Sequence, residues 1–382
     1  MLRWIAGVAV ALACAAPCAA SPTVVKGWPL SAAPGPVLQG PGPGAVVVST
    51  SLIDPNRFTV TAYRPNATRR WVNVRRAGCG NCDLGTQPVR LQADGTFGPI
   101  GVIGDDYWAV DQAGREVGGC SGAVLADGTC ISARTRFVPP TGLEIALVSR
   151  RGAAELWRLV EPGLGDWVPE GDVAPYVVRD GGGTAYVAYG QGVPQARLVT
   201  VDSATGALRA RVPGTFDFVA ATADAGLARE AFTGGLVAVG ADGAQRWSAP
   251  LLRSFLFPQN VVVDRARARV YVGQTRPRWR TQALDAATGR VLWTSPSAQS
   301  VRPLSLANGG LLLAGVEQGS SRSLRALGGG DGRARWTFRT SGLVVGAREL
   351  TDRTIVVSTQ RPPGAGRGPL WRIDPLRLPK RR

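Results

Sequence analysis

Along most of this chain, short apolar runs alternate with polar residues and are cut by aspartate and glycine at recurring distances. Leu198-Val199-Thr200-Val201 ends in Asp202-Ser203-Ala204-Thr205-Gly206, and Gln282-Ala283-Leu284 ends in Asp285-Ala286-Ala287-Thr288-Gly289 before Val291-Leu292-Trp293. Leu236-Val237-Ala238-Val239 leads through Asp242-Gly243 to Trp247, and Asp331-Gly332 leads to Trp336. The alternation predicts antiparallel strands. An aspartate that bonds its own backbone two residues on, followed by a glycine that accepts positive φ, predicts the tight turns between them. In three copies the tryptophan comes four residues after the turn glycine, so it occupies a fixed phase on the following strand.

The tryptophans count the copies. The intervals from Trp28 to Trp71, Trp157, Trp247, Trp293 and Trp336 are 43, 86, 90, 46 and 43 residues, so each long interval holds two periods. The skipped rungs fall near Gly118 and Ala210. A sheet of four short strands cannot bury both faces alone, and must stack on its neighbours with an indole filling the gap. The expected fold is all-β, an eight-bladed β-propeller of four-stranded antiparallel blades. The segment Thr23 to Leu30, which carries Trp28, supplies the strand that the last blade lacks and closes the ring. A seven-bladed ring with Trp28 in a tail is the alternative. Closure is attractive because it leaves no free end to the row of sheets.

Composition agrees with short strands: 45% of residues are apolar and 19% charged, with 50 glycines and 28 prolines. There is no histidine, which removes Ser-His-Asp and Cys-His catalysis and every His-ligated metal or haem. The formal charge is +17, or +16 without Arg3, and nearly all of it is arginine, since Lys26 and Lys380 are the only lysines. Spread along the chain, this charge reads as a solvated surface able to attract an anionic surface polymer. No nucleic-acid partner is expected.

Residues 1–20, with an apolar run from Trp4 to Ala13 and small residues at Cys18-Ala19-Ala20, read as a signal peptide. Lipidation at Cys14 is the rival reading. The mature chain, 21–382, is expected to be exported as one propeller domain with no transmembrane segment. It keeps Cys79, Cys82, Cys120 and Cys130, an even number that suits disulfides outside the cytoplasm. Of three pairings, Cys79 with Cys82 and Cys120 with Cys130 close the shortest loops. A four-thiolate zinc site is the alternative. Gly119-Cys120-Ser121-Gly122 has no base to activate a nucleophile and reads as a turn.

Asp285-x-x-Thr288-Gly289-x3-Trp293, and Asp202-x-x-Thr205-Gly206 as its first half, resemble the tryptophan-docking repeat of the PQQ-like propellers. The resemblance runs from about Trp28 to Asp374, strongest in these two repeats. It implies the propeller fold. That family holds quinoprotein alcohol dehydrogenases as well as non-catalytic, BamB-like scaffolds of about this size. The dehydrogenases place a quinone and calcium beside two adjacent cysteines, and this chain has no Cys-Cys pair. Its one adjacent carboxylate pair, Asp105-Asp106, reads as a solvated turn. The resemblance therefore favours a non-catalytic scaffold with an envelope or secreted protein partner, and assigns no catalytic, cofactor or metal residue.

Overall fold

The computed structural model describes residues 22–24, 37–39, 45–50, 57–64, 66, 68–76, 90–91, 96–103, 106–118, 120, 123–125, 127–138, 142–161, 177–189, 197–214, 216–230, 235–249, 261–274, 280–296, 300–307, 309–318, 321–350, 353–361 and 370–377. Trp28, Cys14, Cys79, Cys82, Lys26 and the whole of 1–20 lie outside these residues. Among the described residues the strands form eight four-stranded antiparallel sheets, and all but the last run in chain order across the sheet. The inner and outer strands of the first seven blades are Val37–Gln39 and Arg69–Arg76, Arg90–Leu91 and Glu116–Gly118, Ala123–Val124 and Ala154–Glu161, Val177–Asp180 and Leu208–Pro213, Phe216–Ala221 and Gln245–Ala249, Val261–Asp264 and Val291–Pro296, and Ser300–Ala307 and Ala334–Thr340. Blade 8 takes Leu343–Glu349, Thr354–Arg361 and Leu370–Arg377 from the C-terminal end, and its outer strand is Thr23–Val24. There Thr23 pairs with Arg377 and Val24 with Leu376.

Inner strands touch between blades 1 and 2 and in turn from blade 3 to blade 8, and Leu343–Glu349 of blade 8 touches Val37–Gln39 of blade 1, so the row of sheets meets itself. Burial follows this layout. The third strand of blade 5, Leu236–Val239, is buried along its whole length, whereas outer strands such as Leu208–Pro213 alternate half-buried and exposed. The core lies between sheets. Val272 and Leu284 of blade 6 pack with Leu227 and Trp247 of blade 5, and Leu376 of blade 8 packs with Leu313 and Trp336 of blade 7. No described helix is long and apolar enough to cross a membrane.

Candidate functional site

The repeat turn is the most regular feature, and it shows what the aspartates do. Asp285 Oδ1 accepts from the backbone N–H of Ala287 at 3.1 Å and of Thr288 at 2.9 Å, and from the Thr288 hydroxyl at 2.8 Å. Asp202 repeats this with Ala204 at 3.0 Å and with the N–H and hydroxyl of Thr205 at 2.9 and 3.0 Å. Gly206 and Gly289 close the turns at φ 72° and 69°. The carboxyl of Asp202 is held down to about 2 by the Thr205 N–H, the Arg209 guanidinium and the Thr205 hydroxyl. That of Asp285 is lowered chiefly by the Thr288 hydroxyl, and that of Asp331 by the Arg333 N–H.

Each turn is also a landing site for the blade before it. Trp71, Trp157, Trp247 and Trp293 donate their indole N–H to the carbonyls of Gln112, Ser203, Ala286 and Gly329, at 3.0, 3.1, 3.0 and 2.8 Å. The same rings cover the turn glycines of the next blade, Gly114, Gly206, Gly289 and Gly332. A Cβ at any of the four would lie 2.4 to 2.6 Å from an indole carbon. The glycine four residues before a tryptophan thus serves the preceding blade. Across its own hairpin each tryptophan faces a small residue: Ala62, Ser149, Ala238, Ala283 and Ala326 stand opposite Trp71, Trp157, Trp247, Trp293 and Trp336.

The two skipped rungs are resolved differently. Ala210 fills its rung with a methyl group against Gly243, and its cross-strand partner Thr200 sends its hydroxyl to the carbonyl of Ala241 at 2.8 Å, the acceptor position that an indole takes elsewhere. Among the described residues nothing comes within 4 Å of a Cβ at Gly118, and Trp108 holds the register position opposite it. Its counterpart Gly152, in the facing turn of blade 3, is equally open. At this seam Cys120, on the link from blade 2 to blade 3, is disulfide-bonded to Cys130 of blade 3. That bond is incompatible with a four-thiolate zinc site. Trp336 is buried, but its N–H has no acceptor among the described residues. The corresponding turn position of blade 8 lies next to Arg377, outside the described residues.

Charge is less evenly distributed than the sequence suggests. Arg115, Arg209, Arg246 and Arg335 of the rim pair with the turn aspartates Asp111, Asp202, Asp242 and Asp331 at 2.8, 2.6, 3.0 and 2.7 Å. Arg302 and Arg348 stand on the inner strands of blades 7 and 8, where burial lowers both pKa values, opposed at Arg302 by Glu317. Arg69–Arg76, the rim strand of blade 1, reads Arg-Arg-Trp-Val-Asn-Val-Arg-Arg with no acidic residue. That segment is visible in the sequence, but its significance depends on knowing that Arg115, Arg209, Arg246 and Arg335 of other rims each pair with an aspartate of their own turn. Among the described residues no three Cys, Asp or Glu side chains gather as a metal site.

This architecture has solved counterparts. Quinohemoprotein alcohol dehydrogenase from Comamonas testosteroni aligns with 92% of this chain and 76% of its own at 14% identity, with a TM-score of 0.56. The chain has the fold of a quinoprotein-type β-propeller. BamB from Moraxella catarrhalis, at 14% identity over 89% of this propeller and 84% of its own chain, gives a TM-score of 0.39. The Pan2 WD40 domain of Neurospora crassa, at 8% identity over 91% and 90%, gives 0.47. No protein-family profile and no curated protein sequence matches the propeller. At such identities the likeness fixes the fold and nothing finer.

Proposed function

We propose that the mature chain, 21–382, is a single exported propeller domain that acts without catalysis as a protein-interaction or assembly scaffold at the cell envelope. The observation that carries this reading is the use made of the carboxylates. Asp111, Asp127, Asp202, Asp285 and Asp331 are all displaced toward the ionised form by the hydrogen bonds and arginines of their turns. Such groups are struts, whereas general acid or base work at neutral pH needs a carboxyl raised toward neutrality. The Cys120–Cys130 disulfide and the apolar N-terminal segment support export. What remains to do work is surface, chiefly the rim strands and the strand connections.

The rival reading, a PQQ- and calcium-dependent dehydrogenase, takes its support from the Comamonas testosteroni enzyme's fold. Calcium asks for six to eight oxygen ligands, roughly, with several carboxylates converging. The described residues do not fit that demand: Asp264 is tied to Arg267 at 3.0 Å, and the half-buried inner-strand cations Arg302 and Arg348 oppose a second positive charge. Crosslinking in intact cells, with the captured molecules identified, tests the scaffold: recovery of a recurrent envelope or secreted protein is expected. Salt-resistant binding of PQQ with calcium, and dye-linked turnover of an alcohol or sugar, would replace it with the enzyme reading.

A further inference from the structure

We propose that the rim strand of blade 1, Arg69–Arg76, is a docking edge on which an acidic, extended segment of a partner protein adds as a fifth strand. The proposal rests on the scaffold reading and gives its partner a chemistry. This rim strand has eight residues, as has that of blade 3, which carries Glu155 and Glu161 and so lacks the uniform positive charge; those of blades 2, 5 and 8 have three, five and two. It is also held firmly. Trp71 and Asn73 point into blade 2 and bond the carbonyls of Gln112 and Gly114, each at 3.0 Å. By the two-residue alternation of a strand, Arg70, Val72 and Val74 share the opposite face, and the valines are 43% and 46% exposed. A fourth strand at a rim leaves every second backbone N–H and C=O free to pair with another chain.

Charge selects the occupant. The blade 1 turn keeps the repeat's geometry with a neutral residue, because Asn66 Oδ1 accepts from the N–H and hydroxyl of Thr68 at 3.2 and 2.7 Å, as the turn aspartates do elsewhere. The rim arginines of blades 2, 4, 5 and 7 find a carboxylate in their own turn, while among the described residues none reaches Arg69 or Arg70. A second copy of this strand would set arginine beside arginine, which antiparallel pairing penalises. A strand alternating acidic with β-branched residues matches the arginines, the valines and the free backbone together. A polyanion without a peptide backbone meets only the first.

The test uses the full mature chain and a labelled peptide alternating glutamate and valine, read by fluorescence anisotropy. A second peptide carries N-methyl groups on alternate backbone nitrogens, with its charge unchanged. Salt-sensitive binding of the first peptide is expected, with loss on methylation. Arg69→Glu with Arg70→Glu should weaken binding about ten-fold or more, whereas Arg339→Glu, on the blade 7 rim, should leave it unchanged. The wild-type comparison of the two peptides needs no variant to fold. Equal binding of both peptides makes the site a polyanion patch and overturns the proposal. Absence of binding, while crosslinking still recovers a protein partner, overturns the edge and leaves the scaffold reading standing.

Discussion

At the residue scale the tryptophan rung obeys a volume rule: where the outer-strand residue is large, its cross-strand neighbour is small. Ala283 faces Trp293 and Ala326 faces Trp336, whereas Thr200 faces Ala210. The rule explains why the tryptophan ladder skips without the turn pattern failing, since the donor to the next blade can move from indole to threonine hydroxyl. Trp293 is 8% exposed, covers Gly332 and bonds Gly329. Trp293→Ala should therefore cost about 3 to 5 kcal/mol in urea unfolding. Ala210→Trp alone overpacks against Thr200, and adding Thr200→Ala should recover at least about 1 kcal/mol. Additive effects in that double-mutant cycle would show that the two positions do not share one space. The sequence reveals the period because turn chemistry is local. It hides the landing sites, because Trp71 meets Gly114 across two different blades, and it hides the swap at Ala210, because cross-strand partners are defined only by register.

At the element scale the repeat turn is a charged device, and its pH dependence has a fixed sign. The folded-state pKa of Asp202 is about 2, below the value of about 3.9 expected for an unfolded aspartate. A depressed carboxyl contributes stability that is complete above the unfolded value and lost as pH falls through the folded one. Asp111, Asp127, Asp285 and Asp331 shift the same way. Stability should consequently decline between about pH 4 and pH 2. Asp202→Asn, which keeps an acceptor oxygen for the turn but loses the charge, should flatten part of that decline in an acid titration followed by circular dichroism. The other unusual element is the seam between blades 2 and 3. Among the described residues nothing comes within 4 Å of a Cβ at Gly118 or, in the landing turn, at Gly152, and the Cys120–Cys130 bond spans a separation of 10 residues there. Loop-closure entropy assigns such a crosslink about 3 kcal/mol. Cys120→Ser with Cys130→Ser should lower stability by that order and raise amide exchange first in Ala123–Val124 and Cys130–Val138. Exchange rising equally around the ring would mean that the disulfide acts on the unfolded chain rather than on the seam. Composition could signal a crosslink but not its place, since the four mature cysteines allow three pairings and the weak seam is visible only once the rungs are aligned.

At the scale of the whole molecule the question is how a row of sheets resists opening. Seven blades are built from consecutive strands. Blade 8 alone joins the two ends of the chain, with Thr23 and Val24 pairing to Arg377 and Leu376. Leu376 is fully buried and belongs to the cluster that holds Trp336 and Leu313. The N-terminal strand thus covers the edge of a strand whose Leu376 lies in the core between blades 7 and 8. Two paired residues contribute little as a sheet, of the order of 1 kcal/mol. As a closure they do more, because opening there exposes the apolar seam on both sides. Deleting residues 21–30 should therefore lower stability by at least about 2 kcal/mol, with a matching fall in Tm of several degrees. Thr23→Pro with Val24→Pro keeps the segment and removes its backbone donors, so it separates pairing from the contribution of Trp28. If both changes leave Tm where it was, the propeller closes on inner-strand contacts between Leu343–Glu349 and Val37–Gln39 alone, and the N-terminal strand is an ornament of the rim. If only the deletion lowers Tm, the stabilising part of the segment lies beyond Val24, and Trp28 is the residue to replace next.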